Sequence, residues 1–497
     1  MCLESWKELK PKMMRRKQPN PPKYFLAPVL FALFFWAAQP LAAQKMATAD
    51  LRTDLTFLQK VVYKGHQGVF LFNTKDSLDR FFDDLSSHLR GDSVPIEQAM
   101  VSVMLATARI RDGHTSVETP FFTDKTIVLP FTFQIVGDKA YVLGNYSGDT
   151  SLRRGTELKM INGNSVETVI RLGRLLHSGD GYNTSFTQSI ASVYFGRHYS
   201  LLFGTRPTNT VTAVQVDGKI TEHRVPGISR ADFIKLLTVK AKRPPADPAV
   251  LKYRDMELRR DTAIKDLAIL KLGSFPNGRY ERFYRRVFGW LAEQEMRTLV
   301  LDLRYNTGGN VHNMGHLCAH ILDQDLRYQY ERQRRTRIAR YFNMRGKINF
   351  ALIWLKYNSS FGLRHKRAAN MVVRERRVKP QKKHNFNGKV LVLTNGWSFS
   401  SASMATSFLK NRGNAIVIGT ESGGNEAGNC GGGYPKLTLP KSGFKIRFPL
   451  YHLRYDIGKK DIGRGVQPDY PTPYSIEAVL SGSDLEMEQV YRLMGRK

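Results

Sequence analysis

An α/β domain with a mixed sheet, preceded by an N-terminal helical cap and a β-rich module, is the architecture that this 497-residue sequence predicts. Three observations predict it. Apolar residues recur at helical spacing over 49–106, short alternating runs broken by turn signals follow from 127, and beyond 267 continuous apolar runs alternate with amphipathic stretches. The chain is too long for one ordinary core, and its 42% hydrophobic and 11% aromatic content excludes the disordered class.

The N-terminus carries Lys7, Lys10, Lys12, Arg15, Arg16, Lys17 and Lys23, then runs without a charge from Tyr24 to Ala43. Basic start, apolar middle and small-residue exit read as a signal peptide over 1–43, cut near Ala43. The apolar run is also long enough to span a membrane, with its basic flank on the cytoplasmic side, so an uncleaved anchor through 24–43 is the alternative. Either form exports the rest of the chain to the periplasm or cell envelope. Of the three cysteines, Cys2 lies in the leader, and Cys318 and Cys430 show neither a disulfide framework nor zinc spacing.

The formal charge of +33 suggests nucleic acid, but its distribution argues against that partner. The leader holds seven Lys/Arg against Glu4 and Glu8, and the segment 327–383 holds eighteen against Glu331 and Glu375. A local surplus of this kind reads as a solvated basic insertion.

The helical cap, 44–122, rests on Leu51, Leu55, Leu58 and Val62, then Leu78, Phe81, Phe82 and Leu85, then Ile96, Met100 and Met104. In the region 123–240, the glycine-led strand from Gly155 ends in Ile161-Asn162-Gly163. It resembles the carboxylate-loop and strand signature of PDZ domains, which implies a PDZ-like module that adds a chain end to its sheet edge. On its own, an Asn-Gly turn between two strands accounts for the same residues. Lys242–Pro248 reads as a linker into the α/β domain, 241–497. There, strand-like runs at 268–275, 298–303, 389–394 and 415–419 alternate with helical stretches, the pattern of a sheet buried on both faces.

Two segments carry chemistry. At the end of Lys389-Val-Leu-Val-Leu-Thr, Asn395-Gly396 turns the chain and Ser400 falls where a helix begins. Free N–H groups and the helix dipole there favour an oxyanion beside a serine nucleophile, although a serine that only caps the helix fits the local pattern equally. In the second segment, Leu299-Val-Leu-Asp302-Leu-Arg304 runs into Asn306-Thr-Gly308-Gly309, a loop whose backbone can approach a substrate closely.

Together these motifs resemble the tail-specific (C-terminal processing) serine peptidase family. The resemblance continues through Ile416–Gly424 and Gly465-Val-Gln-Pro-Asp469 and covers nearly all of the chain beyond the leader. It implies Ser400 as nucleophile, with the N–H groups of Ser401 and of Gly308 or Gly309 as the oxyanion hole. Many relatives place a lysine base after the second glycine turn, where this chain has Asn425 and no lysine before Lys436. Arg111-Asp-Gly-His114-Thr-Ser-Val instead resembles the tricorn-core-like branch, which implies His114 as the base and a carboxylate, Asp461, as the third group.

Taken without the resemblance, His114 is a loop histidine and Asp461 a solvated acid. His452 is the reserve base. His312, His316 and His320 share a helix flank, but no HExxH motif accompanies them. The expectation is therefore a serine-type endopeptidase acting on polypeptides, with C-terminal recognition, no cofactor or metal and no nucleic acid. The rival is a catalytically inactive polypeptide- or small-ligand-binding relative of the same fold.

Overall fold

The computed structural model describes residues 45–118, 123–239, 249–333, 337–342, 347–348, 351–352, 365–368, 371–413, 415–459 and 461–496. The leader and the 242–248 linker lie outside the described residues.

The N-terminal part holds three helices, Thr48–Gly65, Lys75–Ser87 and Ile96–Ala108, with the short strands Lys45–Ala47 and Ser93–Pro95 paired beside them. Leu51, Leu55, Leu58 and Val62 are buried at their helical spacing, and they belong to the same core as Leu299, Leu301 and Phe408 of the α/β part. Burial against that core, more than propensity, holds such helices. Buried Asp54 adds a polar tie by accepting hydrogen bonds from the backbone N–H groups of Lys441 (2.9 Å) and Ser442 (2.8 Å).

An antiparallel sheet follows, with strands in the spatial order Ile220–Pro226, Thr208–Val214, Glu157–Ile161, Lys139–Asn145 and Phe131–Val136. Asn162-Gly163 is a two-residue turn between paired Ile161 and Asn164, with positive φ at both turn residues (49° and 82°), as a primed hairpin turn requires. Helices Val166–Leu175, Ser185–Val193 and Phe195–Phe203 interrupt the sheet. The sequence reading assigned no helix there. Its core includes Phe131, Val142, Leu158, Ile161, Val169 and Val211.

The α/β part centres on a seven-stranded sheet whose spatial order follows the chain: Leu251–Tyr253, Met256–Arg260, Leu267–Leu272, Thr298–Asp302, Lys389–Thr394, Ile416–Gly419 and Tyr470–Pro471. The first two joins are antiparallel and the rest parallel, so the sheet is mixed. Leu299 and Leu301 enter the core shared with the helices Tyr280–Glu293 and Ser401–Gly413, while Val300, Leu391 and Ile418 face Val490 of the C-terminal helix. Burial on both faces is why these strands read as unbroken apolar runs.

The basic segment is more integrated than a solvated insertion. Leu326–Gln333 pairs with Met371–Val378 in register from Leu326↔Val378 to Gln333↔Met371, and also with Tyr451–Tyr455. Tyr328, Ile338 and Phe342 are buried in the main core. Charged residues mask this in the sequence, because a strand exposed on one face can alternate arginine with apolar residues.

Candidate active site

Ser400 stands immediately before the helix Ser401–Gly413, at the C-terminal end of the strand Lys389–Thr394. Its φ is +55°, a left-handed conformation that L-residues adopt at a local cost and that is common at functional turns. The turn is tied from several sides. Ser398 Oγ donates to Leu303 O (2.9 Å) and accepts from Asn395 N (3.0 Å), and the Phe399 N–H donates to Asn306 O (3.0 Å). Ser398 is therefore a structural tether.

The histidine arrives from the loop after the third N-terminal helix. His114 Nε2 lies 3.0 Å from Ser400 Oγ, across 286 residues of sequence. The imidazole packs against two aromatic rings, Phe399 at 4.6 Å and Tyr434 at 5.9 Å between centroids, which restrict its plane. A partly buried serine–imidazole pair at hydrogen-bond distance, at a helix N-terminus, can carry nucleophilic and acid–base chemistry.

The glycine loop meets the serine from the adjacent strand. A Cβ on Gly308 would stand 2.7 Å from Ser400 Cβ and 2.9 Å from Ser401 N, and φ is +100° at Gly308 and +136° at Gly309. Only glycine fits such an approach. The Gly308 N–H, however, donates to Asn306 Oδ1 at 2.8 Å. This corrects the expectation for Gly308, because an N–H committed to a side chain is not free for an oxyanion, and it leaves Gly309 and Ser401. The Ser401 N–H is the first of its helix and has no intrahelical partner. Asn306 is fully buried and also donates to Leu272 O (3.0 Å), so it clips the glycine loop between the strand Leu267–Leu272 and the serine turn.

Asp302 and Arg304 do not face the serine. Arg304 is buried and bonds Asp302, Asp484 and Glu486, joining the strand end to the C-terminal helix Leu485–Leu493. Burial opposes this guanidinium's charge, but Asp302 and Asp484 hold its pKa well above the ordinary value.

The acids around His114 are arranged differently from the expectation. Asp461 accepts both its close hydrogen bonds from Asn425 Nδ2 (2.9 Å to each oxygen) and one from Gly463 N (2.8 Å), and no hydrogen bond joins it to His114. Asp461, expected as the third group, is thus bonded to Asn425, the residue in the lysine's place, and not directly to the imidazole. The acids that do lie beside the ring are Asp112 and Asp180, whose carboxylate oxygens and a His114 ring nitrogen fall within 4.8 Å of one another.

Asp180 accepts from Gly113 N (2.8 Å) and Asn425 N (3.2 Å). Burial pushes its carboxyl up to about 6, with the Asp112 charge adding to the shift and His114 opposing it. For Asp112, burial acts upward too, but the neighbouring His114 and His66 imidazoles outweigh it and hold the carboxyl well below its usual range.

Two buried donor groups share Asp112: His66 with Cys430, and His114 with Asp180. Hydrogen bonds already join His66 to Asp112. His316 pairs with Glu281 (3.2 Å), and His320 is stacked on Phe288 at 4.5 Å with burial lowering it to about 4, so the histidine flank serves packing and pairing. His452 Nδ1 lies 3.2 Å from Glu331 Oε2. Lys436 is an exposed partner of Glu118. Cys318 and Cys430 are both free thiols.

Residues 266–472 match the model of peptidase family S41. The match is to this segment alone, which is similar to an S41 peptidase domain. Its fold is similar to that of mature CPAF, with a TM-score of 0.62 and 16% identity over 90% of this chain and 97% of that one. Mature CPAF complexed with lactacystin gives 0.62 and 15% identity over 90% and 98%. The photosystem II D1 C-terminal processing protease aligns at 0.41 and 12% identity over 90% and 98%. No curated protein matches the chain.

The S41 match runs from the strand Leu267–Leu272 through the glycine loop, Ser400 and Gly465-Val-Gln-Pro-Asp469, and so covers the nucleophile's side of the site but not His114. His66, Asp112, Asp180 and Asn306 are site residues that sequence reasoning missed. Asp112 had a local signal, an acid two residues before the histidine. His66 and Asp180 had none, being 48 and 66 residues from His114 with no motif around them.

Proposed function

We propose that this chain is an exported serine endopeptidase of the S41 type that uses a Ser400–His114 pair on polypeptide substrates. The observation that carries the reading is the 3.0 Å contact of His114 Nε2 with Ser400 Oγ at a strained helix N-terminus. Ser400 Oγ attacks the peptide carbonyl as His114 Nε2 takes its proton. The N–H groups of Gly309 and Ser401 receive the negative charge that develops on the carbonyl oxygen. The imidazolium then returns the proton to the leaving amine, and water, activated by the same nitrogen, releases the acyl group.

The signal-like leader supports export, with residues 24–43 as an alternative membrane anchor. No helix of the described residues is long and apolar enough to cross a membrane. The antiparallel sheet built around the Asn162-Gly163 turn supports a PDZ-like role in capturing a substrate C-terminus, by strand addition at a sheet edge.

Labelling with a fluorophosphonate and mapping the adduct by mass spectrometry tests the reading. An adduct on Ser400, lost in Ser400→Ala and in His114→Ala, supports it. Labelling at another serine, or none in a folded protein that still cleaves peptides, overturns it.

A further inference from the structure

A histidine base that takes a proton at Nε2 carries its positive charge over the whole ring, and the Nδ1 side then needs a carboxylate to hold the ring and offset the charge. His114 Nδ1 is buried and has no hydrogen-bond partner among the described residues. Asp112 Oδ1 stands 3.7 Å away, and the same oxygen accepts the backbone N–H of His114 at 3.2 Å. Catalytic hydrogen bonds are often long before substrate binds, and a small ring or carboxylate rotation closes this one.

The other edge of Asp112 is held by a dedicated set of donors. The N–H of Gly68 donates to His66 Nδ1 (3.1 Å), so that nitrogen is bare and the proton of the neutral ring sits on Nε2. His66 Nε2 therefore donates toward Asp112 Oδ2, 2.9 Å away, with Thr115 Oγ1 at 3.0 Å beside it. The Thr115 hydroxyl donates to the same carboxylate oxygen at 2.5 Å. The N–H of Asp112 itself is anchored on Ser178 Oγ (2.9 Å). Phe448 packs edge-on against His66, 5.2 Å between centroids, which fixes that ring. All of these side chains are at least nine-tenths buried.

Neither neighbouring acid is placed as well. Both oxygens of Asp180 accept backbone N–H groups, and both oxygens of Asp461 accept from the Asn425 side chain. We propose that Asp112 is the positioning carboxylate of His114, and that His66 and Thr115 are positioning residues that hold Asp112 ionised with Oδ1 presented to Nδ1.

The inference rests on the Ser400–His114 reading, and one set of variants of the full chain separates the two. Peptidase kinetics are measured from pH 5 to 9 for the wild type, Ser400→Ala, His114→Ala, Asp112→Asn, Thr115→Val and Asp461→Asn, with circular dichroism to check folding. Asp112→Asn is expected to lower kcat by about 100-fold or more with KM changed little, and to move the ascending limb of the pH–rate profile to lower pH, because an imidazole without its carboxylate releases its proton more readily. Thr115→Val is expected to lower kcat about 3- to 10-fold and move the limb in the same direction. Asp461→Asn should leave the limb in place.

Wild-type activity that survives in Ser400→Ala or His114→Ala overturns the underlying reading. Dead Ser400→Ala and His114→Ala with an unmoved limb and near-normal kcat in folded Asp112→Asn overturns this inference alone. If Asp112→Asn does not fold, an unmoved limb and unchanged kcat in Thr115→Val overturns it.

Discussion

Ser400 and His114 meet at 3.0 Å although 286 residues separate them, and the same contact brings the loop after the third N-terminal helix onto the N-terminus of the helix Ser401–Gly413. Ser400→Ala is expected to abolish turnover of a casein-like substrate with the melting temperature nearly unchanged, since covalent catalysis is deleted and at most about 1 kcal/mol of local hydrogen bonding is lost. Turnover within a factor of two of the wild type would refute the assignment.

Ser398 separates structure from chemistry within the same turn. Ser398→Ala removes the bonds to Leu303 O and Asn395 N but no reacting group. It should retain activity while losing about 1–2 kcal/mol of stability in urea titrations. A dead but fully stable Ser398→Ala would place that hydroxyl in the chemistry.

The base is tested against its lysine rival. His114→Ala should lose most of the rate, whereas Lys436→Ala removes only an exposed ion pair with Glu118 and should change kcat/KM by less than about twofold. The reverse pattern, an active His114→Ala and a dead Lys436→Ala, would point to a serine–lysine dyad.

At the glycine loop, Gly308→Ala puts a methyl 2.7 Å from Ser400 Cβ, and Gly309→Ala puts one 2.3 Å from Phe275 O, both at positive φ. Each should reduce kcat by at least about tenfold, the loss growing with any displacement of the oxyanion donors. Stopped-assay kinetics on the two purified variants decide this, and normal kcat in both would mean that the loop lies away from the reacting carbonyl.

The two acids beside His114 give stability–pH slopes of opposite sign. Asp180 titrates at about 6 in the folded chain, against about 3.9 when unfolded, so the folded state holds the extra proton between those values. From this group, unfolding free energy falls as pH rises from about 4 to 6, by on the order of 3 kcal/mol. Asp112, held low, contributes stability present above about pH 4 and lost as pH falls below it. Urea titrations at pH 4, 5, 6 and 7 should therefore show Asp180→Asn gaining on the wild type between pH 4 and 6, whatever constant offset its altered hydrogen bonds introduce. Parallel curves for the two proteins would contradict the raised carboxyl.

The sequence by itself determined the parts of this protein whose signal is local. Short, largely apolar runs at 298–303 and 389–394 bounded by turn signals fit strands covered on both faces, Asn162-Gly163 can only turn in a few ways, and a serine at a strand-to-helix junction beside a Gly-Gly loop has few bland explanations once the motifs are taken in order. The Arg111-Asp-Gly-His114 segment offered a candidate base, because Asn425 stands where a lysine would be.

Tertiary structure decided which groups surround His114. Whether Asp112, Asp180 or Asp461 faces Nδ1 depends on where Asn425 and the loops 66–68 and 178–183 are folded, and no periodicity or spacing encodes a contact between side chains that far apart in sequence. Likewise, the Asn306 side chain took the N–H of Gly308 and left Gly309, a choice between adjacent residues that only hydrogen-bond geometry makes. The basic segment shows the same limit in reverse, since its arginines hide a strand that becomes visible only when Met371–Val378 pairs with Leu326–Gln333. Local pattern reports what a segment can form, and long-range packing selects its partners, because the free energy of a buried contact belongs to both sides of it.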